Sequence, residues 1–316
     1  MAEGLAQEAR PRPAALAVSI VIPTYRRAPV LRRCLDRLEG QADALTEVIV
    51  VDDAQEDDPA AVARAVDAGA RPFAVRIVHR HAPGVAAARN AGWRAAAAPL
   101  VLFLGDDILA DPGLVSAHLA AHARRPEEHV GILGHVRWAR ELRVTPFMRF
   151  LEEGAQFDYA HMEAGDAGWG RLYTSNVSFK RGLLEAVGGF DEDFTFGYED
   201  LEIGRRMHDR GLRLMYDPQI RAEHLHPTTL ADWERRMAAA APAERMMVAK
   251  HPDVKPYFHD ALRGWRGQAS SARMAALAER IPAAVPVVGP RVHAAARAHW
   301  KVTLADAFFA GWERGA

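Results

Sequence analysis

The stretch "LVLFLGDD", residues 100–107, joins five consecutive apolar residues to a glycine and two acids. A short run that is apolar at every position is typical of a strand covered on both faces, as in a parallel sheet. The two charges mark the point where this strand leaves the interior. Similar runs at 18–23, 47–53 and 73–79 come before it. The sequence therefore predicts four buried strands in the first third of the chain.

Helical patterns at 28–39, 58–68 and 84–96 alternate with these strands. This alternation predicts an α/β fold with a mostly parallel, Rossmann-like central sheet flanked by helices. Parallel sheets bind ligands outside the carboxyl ends of their strands. The polar residues at those ends are therefore site candidates: Pro23, Thr24, Tyr25, Arg26, Asp52, Asp53, His79, Arg80, Asp106 and Asp107.

The composition is that of a globular protein, with 316 residues of which 49% are hydrophobic and 26% charged. A net charge of -1 argues against nucleic acid as a partner, since proteins that bind it usually carry a basic face. The single cysteine, Cys34, excludes an internal disulfide framework. No run approaches the ~20 apolar residues of a membrane-spanning helix, and the first residues lack a secretory pattern. We therefore expect a cytoplasmic protein, with peripheral membrane contact left open.

The turn after the first strand reads "PTYRRAPV", residues 23–30. A dinucleotide-binding fold places a glycine-rich turn at this position. The sequence therefore argues against an NAD-dependent oxidoreductase.

The adjacent acids Asp106 and Asp107 suit a hard divalent cation such as Mg²⁺ or Mn²⁺, which binds one or two carboxylates together with phosphate oxygens. The structural alternative is an N-cap for the helix that Pro112 begins, but Asp111 occupies that cap position better. His224 and His226, in "AEHLHP", share one face of a predicted strand and are further candidate ligands.

A second acidic pair, Glu199 and Asp200, stands at the predicted start of a helix. Free N–H groups stabilise acids at such positions, which is the structural explanation. The alternative is catalytic. Phe194, Phe196 and Tyr198 precede the pair and are candidates to line a pocket, in which a carboxylate could accept a proton from a hydroxyl.

In "PGVAAARNAG", residues 83–92, Arg89 and Asn90 interrupt a run of small residues. Gly92 costs roughly 1 kcal/mol relative to alanine inside a helix, so close packing or close ligand approach is expected there. Arg89 is a candidate to pair with a diphosphate, with a site carboxylate or within its own helix.

Taken in order, these motifs resemble those of the family 2 glycosyltransferases with a GT-A fold. The resemblance spans about residues 18–227 and rests on the set as a whole: "VSIVIPTYRR", "EVIVVDDA", "PGVAAARNAG", "LFLGDD", "TSNVSFKR", "GGFDEDF", "YEDLEIGRRM" and "AEHLHP". It implies a catalytic domain at 17–227, with a nucleotide-binding half at 17–111 and an acceptor half at 112–227. Residues 1–16 are then a disordered lead, and residues 228–316 a helical C-terminal extension.

The resemblance also implies roles for individual residues. Asp107 matches the acid that holds Mn²⁺ or Mg²⁺, aided by His224 or His226, and Asp200 matches the catalytic base, with Glu199 beside it. The other implied contacts are to the sugar nucleotide: Pro23, Thr24, Tyr25, Arg26, Asp52, Asp53, Arg89, Asp106, Trp169 and Asn176. Trp169 is equally a candidate for anchoring its loop. Gly105 departs from the family pattern, which often has an acid there.

The implied activity is transfer of a hexose, with inversion, from a nucleoside-diphosphate sugar, most often a UDP sugar, to a glycan, lipid-linked or small-molecule hydroxyl, for example in polysaccharide biosynthesis. The rival interpretations are a nucleotidyltransferase and a catalytically silent module that binds sugar nucleotides. The C-terminal helices are expected to pack as a cap, with a membrane surface or a homodimer contact as the alternatives.

Overall fold

The fold is given by a computed structural model that describes residues 16–41, 45–53, 60–67, 71–81 and 84–314. The predicted lead at 1–16 lies outside the described residues except for its last position.

Nine strands within the described residues form one sheet in the order β3-β2-β1-β4-β8-β6-β9-β5, with β7 paired to β9. Their bounds are β1 (Val18–Thr24), β2 (Thr46–Asp53), β3 (Ala74–Arg80), β4 (Leu100–Leu104), β5 (Ile108–Ala110), β6 (Val130–Trp138), β7 (Gly165–Asp166), β8 (Asn176–Lys180) and β9 (Arg213–His224).

Most of the helices that precede β9 pack on the two faces of the sheet, and further helices follow β9 in the sequence. Their bounds are α1 (Ala28–Leu38), α2 (Ala61–Asp67), α3 (Val85–Ala95), α4 (Leu114–Arg124), α5 (Pro146–Leu151), α6 (Arg181–Val187), α7 (Glu199–His208), α8 (Leu230–Lys250), α9 (Tyr257–Leu262), α10 (Ala272–Ala278) and α11 (Val288–Arg314).

The predicted α/β fold is confirmed, and its parallel part is the first half of the sheet. Strands β3, β2, β1 and β4 are all parallel. Beyond β4 the sheet is mixed, because β8 runs antiparallel to both β4 and β6, while β6 and β9 are parallel. The carboxyl ends of the four parallel strands therefore meet at one edge, as a ligand site requires.

Gly92 is explained by close packing of α3 on the sheet. A Cβ atom at this position would lie 2.3 Å from Cγ1 of Val21 in β1. Its neighbour Asn90 is fully buried and binds the backbone of Phe190, donating to its carbonyl and accepting from its N–H, each at 2.8 Å. The small residues and the Asn thus serve packing.

The C-terminal helices α8 to α11 build a further hydrophobic core against α5. Phe147 of α5 packs edge-on against Trp300 of α11 at 5.6 Å between ring centroids. Trp300, Phe308 and Phe309 are all buried. The helical C-terminal extension is therefore confirmed, and the large aromatic side chains of α11 at 300, 308 and 309 face the interior. No helix of the described residues is long and apolar enough to cross a bilayer.

Candidate active site

The residues that follow β4 meet the end of β9 through β5, a three-residue strand that the sequence did not predict. Ile108 of β5 stands opposite His224 of β9 in an antiparallel pair. This register brings Asp107 beside His224. The ring of His226 stacks on that of His224 with centroids 5.4 Å apart. Two distant motifs are thereby joined into one cluster.

Asp107, His224 and His226 have the geometry of a cation site. Each offers one ligand atom, and the three atoms lie within 4.8 Å of one another. Nε2 of His224 is 3.4 Å from Oδ2 of Asp107, and Nδ1 of His226 is 3.5 Å from it. Adjacent ligands of an octahedral cation lie roughly 3 Å apart when the metal–ligand distance is about 2.1 Å. A small closing movement therefore fits these side chains to a divalent ion.

The His224 ring is held from two sides. Trp138 stacks on it at 5.4 Å with an interplanar angle of 10°. Nε2 of Gln156 lies 3.2 Å from Nδ1 of His224, on the ring edge away from Asp107. Such outer contacts fix the orientation of a ligating imidazole.

Arg27 joins this cluster, although the sequence analysis did not single it out. Its Nη1 donates to Oδ2 of Asp107 at 2.7 Å and lies 3.3 Å from Nδ1 of His226. Its Nε and Nη2 atoms bind both oxygens of Asp106. The preceding Arg26 has a positive φ of 52°. The sequence motif "YRR" gave no signal as to which arginine turns towards the acids.

Asp106 faces inward rather than towards a ligand. It is fully buried, and Thr24 donates to its Oδ2 at 2.8 Å in addition to the Arg27 contacts. Burial and the adjacent Asp107 charge raise the pKa of Asp106 to about 7, against the opposing effect of Arg27. This hydrogen bond ties the end of β1 to the segment that follows β4, and the sugar-nucleotide contacts of Asp106 and Thr24 stay predictions.

Position 105 has little room for a side chain, because Asp107 occupies the adjacent space. A Cβ atom on Gly105 would lie 2.8 Å from Oδ1 of Asp107 and 3.1 Å from Cγ1 of Ile108. Burial favours the neutral form of Asp107, but His224, Arg27 and His226 outweigh it and hold the pKa of Asp107 below its usual range. A side chain at 105 would push against this charged carboxylate.

The second acidic pair begins α7 and is held by Arg89 and Thr174. Nη1 of Arg89 donates to Glu199 at 2.8 Å and lies 3.3 Å from Asp200. Thr174 donates to Asp200 from its backbone N–H at 3.1 Å and from its hydroxyl at 2.9 Å. Three kinds of partner were expected for Arg89: a diphosphate, a site carboxylate or a residue of its own helix. In the structure it pairs with site carboxylates. The Asp200 side chain remains 23% exposed and that of Glu199 only 9%.

The environment of Asp200 makes it a stronger base than an ordinary carboxylate. Burial, with the Glu199 charge adding to it, raises the pKa of Asp200 to about 6, while Arg89 and Thr174 oppose the shift. A base with this pKa is largely ionised at neutral pH and still accepts a proton better than a free aspartate does.

Arg236, from α8, is near enough to both acidic groups for their charges to act on it. Its pKa is lowered by burial, and the charges of Glu199, Asp200 and Asp107 all act on it in the opposite sense. Its guanidinium lies over the rings of Phe196 and Trp233, 5.4 Å from each centroid. It forms no ion pair with another described residue. Asp200 and Arg236 line one cleft, and Asp107 is near enough for its charge to act on Arg236.

At the end of β2, the two acids differ in what they already bind. Asp53 accepts from Arg80 and, at 2.8 Å, from the N–H of Gly84 that begins α3. Asp52 faces His79 with one oxygen, while its Oδ1 has no hydrogen-bond partner among the described residues. Asp52, rather than Asp53, thus retains an acceptor atom.

The remaining predicted site residues are divided between rim, cleft and core. Pro23 is half-buried and Tyr25 is 48% exposed, with Arg26 over its ring. Trp169 lines a cleft beside Glu199 and Asp200. Asn176 lies in the core, fully buried, where it donates to the carbonyl of Ile220 at 3.1 Å and contacts His118 at 2.9 Å. Its side chain is therefore closed to a ligand, contrary to expectation.

Comparison with known proteins gives the relationship. A family model described as glycosyl transferase family 2 matches residues 19–187. The validoxylamine A glucosyltransferase of Streptomyces hygroscopicus subsp. jinggangensis (strain 5008) is 32% identical over 301 residues, covering 81% of this chain and 67% of that protein. The pre-mycofactocin glycosyltransferase of Mycobacterium tuberculosis (strain ATCC 25618 / H37Rv) is 30% identical, covering 75% and 48%. The chain thus spans about half to two thirds of these relatives.

Solved structures agree on the fold. The mannosyltransferase PcManGT from Pyrobaculum calidifontis, in complex with GDP-Man and Mn²⁺, superposes with a TM-score of 0.55 at 22% identity, over 98% of this chain and 79% of that one. TarS residues 1–349 of S. aureus, in complex with UDP-GlcNAc, give a TM-score of 0.52 at 16% identity, over 76% and 68%. With its GT-A sheet and the family match across more than half its length, this chain belongs to glycosyltransferase family 2.

Proposed function

We propose that this chain is a metal-dependent, inverting hexosyltransferase. It transfers a sugar from a nucleoside-diphosphate sugar, with UDP as the expected nucleotide, to an acceptor hydroxyl. The names of its relatives support sugar transfer, and two structural neighbours hold GDP-Man or UDP-GlcNAc. The observation that carries the proposal is the cluster of Asp107, His224 and His226, whose ligand atoms lie within 4.8 Å of one another, in a structure that also presents Asp200 at a cleft.

At the donor end, Asp107, His224 and His226 are the residues that would hold the ion. Two imidazole nitrogens suit a transition metal better than Mg²⁺, so we propose Mn²⁺. A bound divalent cation offsets the negative charge that develops on the leaving diphosphate. Arg236 adds a second positive charge on the same side, and Asp52 would accept a hydrogen bond from the nucleotide base.

At the acceptor end, Asp200 is the proposed general base. The acceptor oxygen forms a bond to the anomeric carbon while the bond from that carbon to the diphosphate oxygen breaks. The hydroxyl proton passes to a carboxylate oxygen of Asp200. One displacement inverts the configuration, and it needs a single carboxylate base. Glu199 acts on this step by holding Arg89 against Asp200.

Hydrolysis and transfer of UDP-glucose with Mn²⁺ test the proposal. Asp107→Asn and Asp200→Asn are each expected to lower kcat by about 10²–10⁴-fold, the usual contribution of a positioned base or a comparable electrostatic group. Asp67→Asn, at an exposed acid ending α2, is the matched control. Turnover that survives both substitutions would refute the assignment. A folded protein that binds the sugar nucleotide without any turnover would favour the silent binding module, and formation of a nucleotide–sugar bond from a sugar phosphate would favour the nucleotidyltransferase.

A further inference from the structure

A cleft of about 570 Å³ opens beside Asp200. Its inner wall is the segment 154–173 together with the start of α7, and its outer wall comes from α8 and the start of α9. This volume falls within the roughly 300–1,000 Å³ typical of small-molecule sites. About a third of the residues that line the cleft therefore come from the C-terminal region, outside the residues matched by the family model.

Aromatic side chains dominate the walls, and two of them are unusually exposed. Tyr257 is 56% exposed and Phe196 39% exposed, although large apolar side chains elsewhere in the described chain are mostly buried. Trp169 and Trp233 line the same space. Exposed aromatic groups gathered in one concavity mark a binding surface. Their flat apolar faces suit the C–H faces of a saturated ring.

Two hydrogen-bond acceptors at this cleft have no partner among the described residues. They are Oε1 of Gln156 and Oε2 of Glu199. A buried acceptor that lacks a hydrogen-bond donor is destabilising, so a ligand that supplies donors is favoured. Hydroxyl groups are such donors, and each can also accept. The cleft thus combines apolar faces with unsatisfied acceptors.

The charges that line the cleft balance. The acids Asp158, Glu199 and Asp200 stand against the three cations Arg171, Arg236 and Lys255. Asp158 and Arg171 already pair with each other at 2.7 Å. A ligand with a strong net charge therefore gains no general attraction here.

We propose that this cleft is the acceptor subsite, and that it takes a neutral polyhydroxylated ring compound of one or two rings, such as a sugar or a cyclitol. The proposal rests on the proposed function, because Asp200 must receive the proton of the bound hydroxyl. A ring face packs on the exposed ring of Tyr257, and the ring hydroxyls donate to Gln156 and Glu199. Helices α8 and α9 thereby determine which acceptor the enzyme uses.

The test compares acceptors and a wall variant in the full chain. The probes are myo-inositol and methyl α-glucoside as neutral rings, glucose 6-phosphate as an anion and decyl β-glucoside as an amphiphile, with UDP-glucose and Mn²⁺. We expect transfer to the neutral rings. Tyr257→Ala is expected to raise the KM for the ring acceptor about tenfold, as roughly 1.4 kcal/mol of lost contact produces, with the KM for UDP-glucose within about twofold. Because the Tyr257 side chain is exposed, this variant should fold.

Leu277→Ala, at a 38% exposed position on α10, is the control and should leave both KM values unchanged. An unchanged acceptor KM in Tyr257→Ala would overturn the proposal, as would a preference for the phosphate or the amphiphile. So would failure of both neutral rings to bind in calorimetric titration. The proposed function is judged separately by hydrolysis of UDP-glucose without acceptor, which depends on Asp107 and not on Tyr257.

Discussion

At the scale of single residues, the two carboxylates of each acidic pair differ in their hydrogen-bond partners and in their exposure. Asp106 is tied into the structure by Thr24 and Arg27, whereas Asp107, the next residue, faces the histidines. Glu199 is nearly closed off by Arg89, whereas Asp200 keeps an accessible surface. In each acidic pair, one carboxylate is bonded to neighbouring side chains, and the other is more exposed and available to a ligand.

The pH dependence of the reaction should follow Asp200. Its pKa is raised to about 6, chiefly by burial, and only the ionised form accepts a proton. We therefore expect kcat/KM to be constant above about pH 7 and to fall as the pH drops through 6, by roughly tenfold per unit below it. Initial rates between pH 4.5 and 8.5 measure this, with a calorimetric check that the protein stays folded. A profile that is flat down to pH 5 would rule out Asp200 as the base.

Gly105 should be required for the position of Asp107. Gly105→Ala places a Cβ atom 2.8 Å from the carboxylate, which must move away. We expect the Kd for Mn²⁺ to rise about tenfold, a loss of roughly 1.4 kcal/mol, measured by titration calorimetry. Gly40→Ala is the control, since its Cβ would meet nothing within 4 Å. Equal affinities for the two variants would show that the glycine serves another purpose.

At the scale of elements, Glu244 of α8 joins the C-terminal helices to the residue that precedes α7 through hydrogen bonds. This carboxylate is fully buried and accepts from the hydroxyl of Tyr198 and from the N–H groups of Phe258 and His259, each of the latter at 2.9 Å. Tyr198 adopts a positive φ of 66° immediately before Glu199. One buried acid thus links α8, α9 and the start of α7.

Glu244→Ala should therefore weaken both stability and catalysis. The change leaves three half-buried donors without this acceptor, so we expect the free energy of unfolding to fall by about 2 kcal/mol. We also expect kcat to fall, because Tyr198 adjoins the Glu199–Asp200 pair. Urea denaturation and initial rates measure the two effects. Glu234→Ala, in the same helix but half-exposed, is the control. If both variants unfold at the same urea concentration, the link through Glu244 is unimportant.

At the scale of the whole molecule, the helical extension shares a core with the catalytic domain and lines its cleft. The predicted boundary at 227/228 falls between β9 and α8, and it remains a prediction. The large aromatic residues of α11 pack inside the protein against α5, α8 and α9. A membrane surface or a second copy would thus have to use other parts of this region.

Phe308→Ala tests whether α11 is part of the folded unit. Its ring is fully buried, between Phe258, Phe309 and Trp312. Removing a buried Phe side chain typically costs about 3–5 kcal/mol, and we expect a loss of this size in the free energy of unfolding from urea denaturation. Val288→Ala, 48% exposed on the same helix, should change it little. An unaffected transition for Phe308→Ala would mean that α11 folds independently of the remainder.

Most of the strands and helices of the first half were predictable, because their signals are local. Strand β4 begins and ends at the predicted residues, since it is buried and apolar throughout. The three-residue β5 was missed, because its length gives no periodicity to detect. Arg27 and Arg236 were missed for a different reason, since an arginine carries no sequence signal of the carboxylate that it will face.

The sequence by itself determined the alternation of strands and helices, the ends at which acids and histidines emerge, and the glycosyltransferase family to which they point. The tertiary structure alone decided which member of each acidic pair is available, that Asn176 is enclosed, and that α8 brings Arg236 to the cleft that Asp200 lines. The physical reason is range. Burial patterns follow from neighbours along the chain, whereas exposure, pairing and pKa depend on charges and atoms that only the folded sheet and helices bring within a few ångströms.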